Sequence, residues 1–161
     1  MKTFAYLVMI VLTALCSTPA QQTKSKPDSG AGKSHSQFDP SRDADKDIRT
    51  GIKEAGLSGK KVLLDVGGQW CIWCRRLDKF FEDNADANKL LHDNYVVVKV
   101  NYSPENKNEK VLSRYPKVAG YPHIFVLDSK GTLIHSQNTG ELESGKGYDK
   151  AKILAFLEKY K

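Results

Sequence analysis

Apolar residues in this chain recur at helical spacing in some segments and crowd into short β-prone runs in others. Ala44, Ile48, Ile52 and Ala55 share one helix face. Asp39-Pro40 suits the opening of that helix, Asp as cap and Pro in the first turn, and Gly56 or Gly59 suits its end. Val62-Leu63-Leu64-Asp65-Val66 has the pattern of a buried strand, broken by Gly67-Gly68. From Cys71 a helix is predicted, with Trp73, Leu77, Phe80 and Phe81 turned inward, and a second short helical stretch surrounds Lys89-Leu90-Leu91. Residues 95–100 (YVVVKV) read as another buried strand, and Ser103-Pro104 as a helix start leading to Val111, Leu112 and Tyr115. After Gly120-Tyr121-Pro122, residues 123–127 predict a third strand. Asp128-Ser129-Lys130-Gly131 then joins it to a hairpin partner over Thr132-Leu133-Ile134. Ile153, Phe156, Leu157 and Tyr160 mark one face of a closing helix. The order α-β-α-β-α-β-β-α predicts an α/β domain, a central mixed β-sheet with helices on both faces.

The first residues have a different pattern. Lys2, the uncharged apolar run from Phe4 to Leu15 and the small residues Thr18-Pro19-Ala20 read as a signal peptide over 1–20. The run is shorter than the ~20 residues a bilayer-spanning helix needs. Cys16 offers an alternative, a lipid-bearing cysteine and hence a membrane tether, although Leu15 is large for the position before one. Either route predicts a periplasmic or extracellular domain. Residues 21–37 (QQTKSKPDSGAGKSHSQ) lack any large apolar side chain and predict a disordered linker, leaving 38–161 as the folded domain.

The chain of 161 residues carries 25 Lys and Arg against 19 Asp and Glu, a net charge of +6. The two signs are intermixed, which describes a solvated surface and gives no support to nucleic-acid binding. Of its three cysteines, Cys16 lies in the leader, so a processed chain keeps Cys71 and Cys74.

These two stand in Trp70-Cys71-Ile72-Trp73-Cys74, where the first strand gives way to a helix. The pair is a redox dithiol, a structural clip or half of a metal site. A disulfide closing four residues removes roughly 2 kcal/mol from the denatured ensemble, against about 3 for a fifteen-residue loop, so it is a weak staple. Zinc needs two more clustered ligands, and His35, His92, His123 and His135 are scattered. Covalent haem needs His after the second cysteine, where Arg75 stands. No metal site is expected, and no cofactor beyond the Cys71–Cys74 disulfide.

A CxxC opening the helix after the first strand, within this element order, resembles the thioredoxin fold. Asp65 stands where thioredoxins carry a buried acid, and Lys99 resembles the lysine that approaches it from the next strand. Tyr121-Pro122 falls where the family has a cis-proline facing the dithiol. Exported thioredoxin-like proteins with WCxWC and GYP motifs, similar to the C-terminal domains of thiol:disulfide interchange proteins, share this set. Thioredoxin itself has Gly-Pro where this chain has Ile72-Trp73, so its strongly reducing character does not carry over.

The resemblance implies an extracytoplasmic thiol–disulfide oxidoreductase acting on protein thiols and disulfides, as a reductase or electron carrier. It also implies a membrane thiol relay as electron donor. Cys71, at a helix start that favours an anion, would attack, and Cys74 would displace the captured partner. Asp65, beside Lys99, would assist proton transfer to or from Cys74. Trp70 and Trp73 would rim the dithiol, and Tyr121 and Pro122 would pair with the substrate backbone. His123 reads as structural. The alternative is a redox-assisted chaperone or peptide-binding module with little turnover.

Overall fold

The computed structural model describes residues 37–161; the predicted leader, Cys16 and the linker up to 36 lie outside the described residues. Strand alternation sorts the core into two faces. In β1 (Lys61–Gly67), Val62, Leu64 and Val66 point to one side, and Leu63 and Asp65 to the other. β2 (Tyr95–Asn101) lies parallel to it, in the register that sets Lys99 opposite Asp65. β3 (His123–Leu127) pairs antiparallel with β1, and β4 (Leu133–Asn138) antiparallel with β3. The sheet order is β2-β1-β3-β4.

α1 (Ala44–Ser58) packs Ala44, Ile48 and Ala55 on the valine face, joined by Val111 of the single-turn α4 (Glu109–Leu112). The other face is covered by Leu77 of α2 (Ile72–Asp83), Leu91 of α3 (Ala85–Asn94) and Ile153, Phe156 and Leu157 of α5 (Lys150–Tyr160). A 3-10 turn (Thr139–Leu142) and the small hairpin β5 (Glu143–Ser144) and β6 (Gly147–Tyr148) precede α5. The predicted mixed sheet with helices on both faces is the fold that forms.

Three local readings are corrected. Asp43, not Asp39, caps α1, accepting from Lys46 N at 3.0 Å, because the Asp39 carboxylate is taken by Ser41 N and Oγ at 2.8 and 2.7 Å. Gly59, at φ 70°, ends the helix in a left-handed turn. Ser103-Pro104 starts no helix: Ser103 and Asn106 exchange backbone hydrogen bonds of 3.1 Å, and Asn108 at φ 49° delays α4 to Glu109. β4 runs on to Asn138 because an edge strand needs no outward apolar row.

α1 lies close against β2 at Gly51, where a Cβ would lie 2.6 Å from Val98 Cγ2. Gly51→Ala gains helix propensity but overpacks this contact, so a net loss on the order of 1 kcal/mol is expected. A urea midpoint that falls with unchanged slope checks it.

Candidate active site

The loop after β1 sets the cysteines. Gly68 O accepts from Cys71 N at 3.0 Å, and Cys71 caps α2, its Sγ accepting from Cys74 N at 3.1 Å. The two are joined as a disulfide with Cα atoms 5.3 Å apart. A Cβ on Gly67 would collide with Cys74 Sγ, so only glycine lets the strand end lie against that sulfur. Cys71 is 4% exposed and Cys74 1%. The first cysteine is therefore more enclosed than an attacking sulfur read from sequence would be, because Phe38, Trp73 and Tyr121 pack against the pair.

The two tryptophans divide. Trp70, 55% exposed, stands beside the disulfide with Nε1 donating to Tyr102 O at 2.7 Å. Its ring meets Tyr121 edge-on at 5.7 Å, and Tyr121 stacks on Tyr102 at 4.7 Å. Trp73 is packed, edge-on to Tyr148 at 5.8 Å with the Arg76 guanidinium 4.4 Å over its ring. The Tyr121–Pro122 peptide bond is cis, and Pro122 O accepts from Thr139 Oγ1 at 2.6 Å. Burial, with Tyr102 adding, pushes the Tyr121 phenol up to about 12, so it is neutral at physiological pH. A cleft of about 690 Å³ extends from Trp70 past Tyr102 and Pro104 to Lys107.

Beneath the disulfide lies a charged group on the opposite sheet face from α1. Lys99 Nζ donates to Asp65 Oδ2 at 2.9 Å and to Asp78 Oδ1 at 2.5 Å, and the Lys99 and Asp65 side chains are 7% and 6% exposed. Burial pulls the Lys99 ammonium down, but the two carboxylates outweigh it and hold it above the ordinary lysine value. Burial pushes the Asp78 carboxyl up, and Lys99 offsets only part of this. Asp65 Oδ1 is buried without a hydrogen-bond partner among the described residues. Gly67, which touches Cys74 Sγ, is two strand residues beyond Asp65 on the same face, or roughly 7 Å.

The structure thus brings together Cys71, Cys74, Trp70, Trp73, Tyr121 and Pro122, with Asp65 and Lys99 in the layer below. His123 is buried, sharing a 2.8 Å hydrogen bond with Ser136 Oγ, and burial lowers its pKa. Sequence reading missed Asp78, Tyr102 and Phe38. Asp78 stands four residues after Cys74, a spacing that puts both on one helix face. Phe38 is a lone aromatic in a polar stretch.

A family model described as thioredoxin-like matches residues 43–129. The thiol:disulfide interchange protein DsbD of Actinobacillus pleuropneumoniae is 34% identical over 96 residues, 58% of this chain and 16% of that protein. The chain thus spans only about a sixth of such a relative. A solved disulphide isomerase from Xylella fastidiosa is 26% identical at TM-score 0.66, covering 76% of this chain and 94% of that one. The oxidised DsbD C-terminal domain of Neisseria meningitidis shares the fold, at TM-score 0.55 and 19% identity over 78% of this chain and 99% of that domain.

Proposed function

The chain belongs to the thioredoxin-like family, and on that premise we propose that it is an exported thiol–disulfide oxidoreductase that reduces protein disulfides. The observation that carries this is the Cys71–Cys74 disulfide at the start of α2, packed against Tyr121 of the cis Tyr121–Pro122 bond. In the reduced protein the Cys71 thiolate attacks a substrate disulfide, forming a mixed disulfide and releasing one substrate thiolate, which takes up a proton. Cys74 then loses its proton and attacks Cys71 Sγ, releasing the second substrate thiol. Two electrons pass to the substrate and the Cys71–Cys74 disulfide is left. Asp65 takes the Cys74 proton, directly or through water, and Lys99, which donates to its Oδ2 at 2.9 Å, holds the carboxyl group in place.

Trp70 and the Tyr121-Pro122 edge hold the partner chain, and Ile72, 48% exposed, adds to the apolar rim. Because the site is enclosed, a partner must present an exposed, protruding disulfide. Export rests on the leader pattern, and the proposed donor, a membrane thiol relay, on the interchange relatives. No helix among the described residues is long and apolar enough to cross a membrane.

Insulin reduction driven by a chemical dithiol tests the assignment. Wild type should turn over insulin well above the rate of the dithiol alone; a rate equal to it would leave a binding module. A reduction potential near ~−270 mV supports the reductase direction, and one near ~−120 mV overturns it in favour of oxidation.

A further inference from the structure

Phe38 lies at the start of the folded domain, yet it is 4% exposed and packs against Cys71 and Cys74. Its ring tip reaches Gly67: the point where a Gly67 Cβ would stand is 3.0 Å from Phe38 Cζ and is also crowded by Cys74 Sγ. The ring face meets a cation, Lys99 Nζ, 4.4 Å from its centroid. Phe38 is therefore wedged between the sulfur of the second cysteine and the ammonium that serves Asp65 and Asp78.

The segment carrying it is tied down. Phe38 O accepts from Gln69 Nε2 at 2.9 Å, and Gln69 O in turn accepts from Arg75 Nη1 at 2.5 Å, which links the strap to α2. Asn106 Nδ2 donates to Pro40 O at 2.8 Å, and Asp39 folds the chain back onto Ser41.

A lysine ammonium has three N–H donors. Two of those on Lys99 go to Asp65 and Asp78, and the Phe38 ring covers a further side of Nζ. The negative face of an aromatic ring is the apolar group able to satisfy a buried cation without admitting water. An aliphatic side chain of similar size would cover the sulfur equally well but leave the ammonium short of a partner.

We propose that Phe38 is a positioning residue for the exchange reaction: its ring fixes Lys99 beneath the disulfide and seals the Cys74 side of the site. Capture of a partner at Cys71 does not depend on the contact between the ring and the Lys99 ammonium, whereas displacement by Cys74 does. The inference rests on the oxidoreductase reading, and the test separates the two.

The reduced protein is mixed with 5,5′-dithiobis(2-nitrobenzoate) in stopped flow. Attack by Cys71 on the reagent's disulfide releases one thionitrobenzoate, and attack by Cys74 on the resulting mixed disulfide releases the second. Phe38→Leu should leave the first release unchanged and slow the second about tenfold, the loss expected for a desolvated cation–π contact. Phe38→Tyr, which keeps the ring face, should resolve within about twofold of wild type. Thermal melts of both variants report stability separately. If Phe38→Leu releases the second equivalent at the wild-type rate, or Leu and Tyr slow it equally, the inference is overturned. If wild type itself releases no second equivalent, it is the exchange reading that fails.

Discussion

Asp65→Asn should slow displacement of a captured partner by on the order of 10²-fold while leaving its capture at Cys71 unchanged, the lower end of what a positioned acid–base group contributes. The two-step thionitrobenzoate release separates the phases, and only the second should respond. The effect is kinetic because the substitution is nearly isosteric and Lys99 keeps its 2.5 Å partner Asp78. Asp65 Oδ1, which lacks a partner among the described residues, is the atom free to take the proton. An unchanged second phase from acid to alkaline pH would remove Asp65 from the mechanism.

Lys99→Met should cost about 3–5 kcal/mol of stability, the typical loss when one partner of a buried ion pair is removed. It leaves the 6% exposed Asp65 and the 36% exposed Asp78 facing each other with no cation between them. Adding Asp65→Asn should recover a large part of that loss, because the more deeply buried carboxylate no longer needs compensation. The sign of the pH dependence follows from Lys99. Its ammonium is held above the ordinary lysine value, so its contribution is complete at neutral pH and is lost only as the pH rises past that value. Urea midpoints for the three proteins at neutral pH check the order wild type, double variant, single variant. Equal midpoints for the single and double variants would show that burial of Asp65 is not the cost.

The sheet was legible because strands covered on both faces read as short continuous apolar runs, as residues 62–66 and 95–100 do, and both are buried along nearly their whole length. The Asp65–Lys99 pair was legible through the resemblance to thioredoxins, and the parallel register of β1 and β2 sets the two residues opposite each other. Loop chemistry was not. Asp39 and Asp43 are both plausible caps, and only the Ser41 hydroxyl, which takes Asp39, decides between them. Ser103-Pro104 has a helix-start signature, but Asn106 and Asn108 turn the chain first. Phe38 and Asp78 escaped because their partners, Lys99 in both cases, are distant in sequence. No local pattern marks a phenylalanine that will cover a lysine from another element. The enclosure of Cys71 is likewise tertiary, built by Phe38, Trp73 and Tyr121 from three separate segments.

The division of labour between the two sulfurs is tested most directly by locating a trapped partner. With Cys74→Ser, protein partners should accumulate as mixed disulfides, and peptide mass spectrometry should place every linkage at Cys71. Partners attached through Cys74 in the Cys71→Ser variant, with none on Cys71 in the other, would contradict the account.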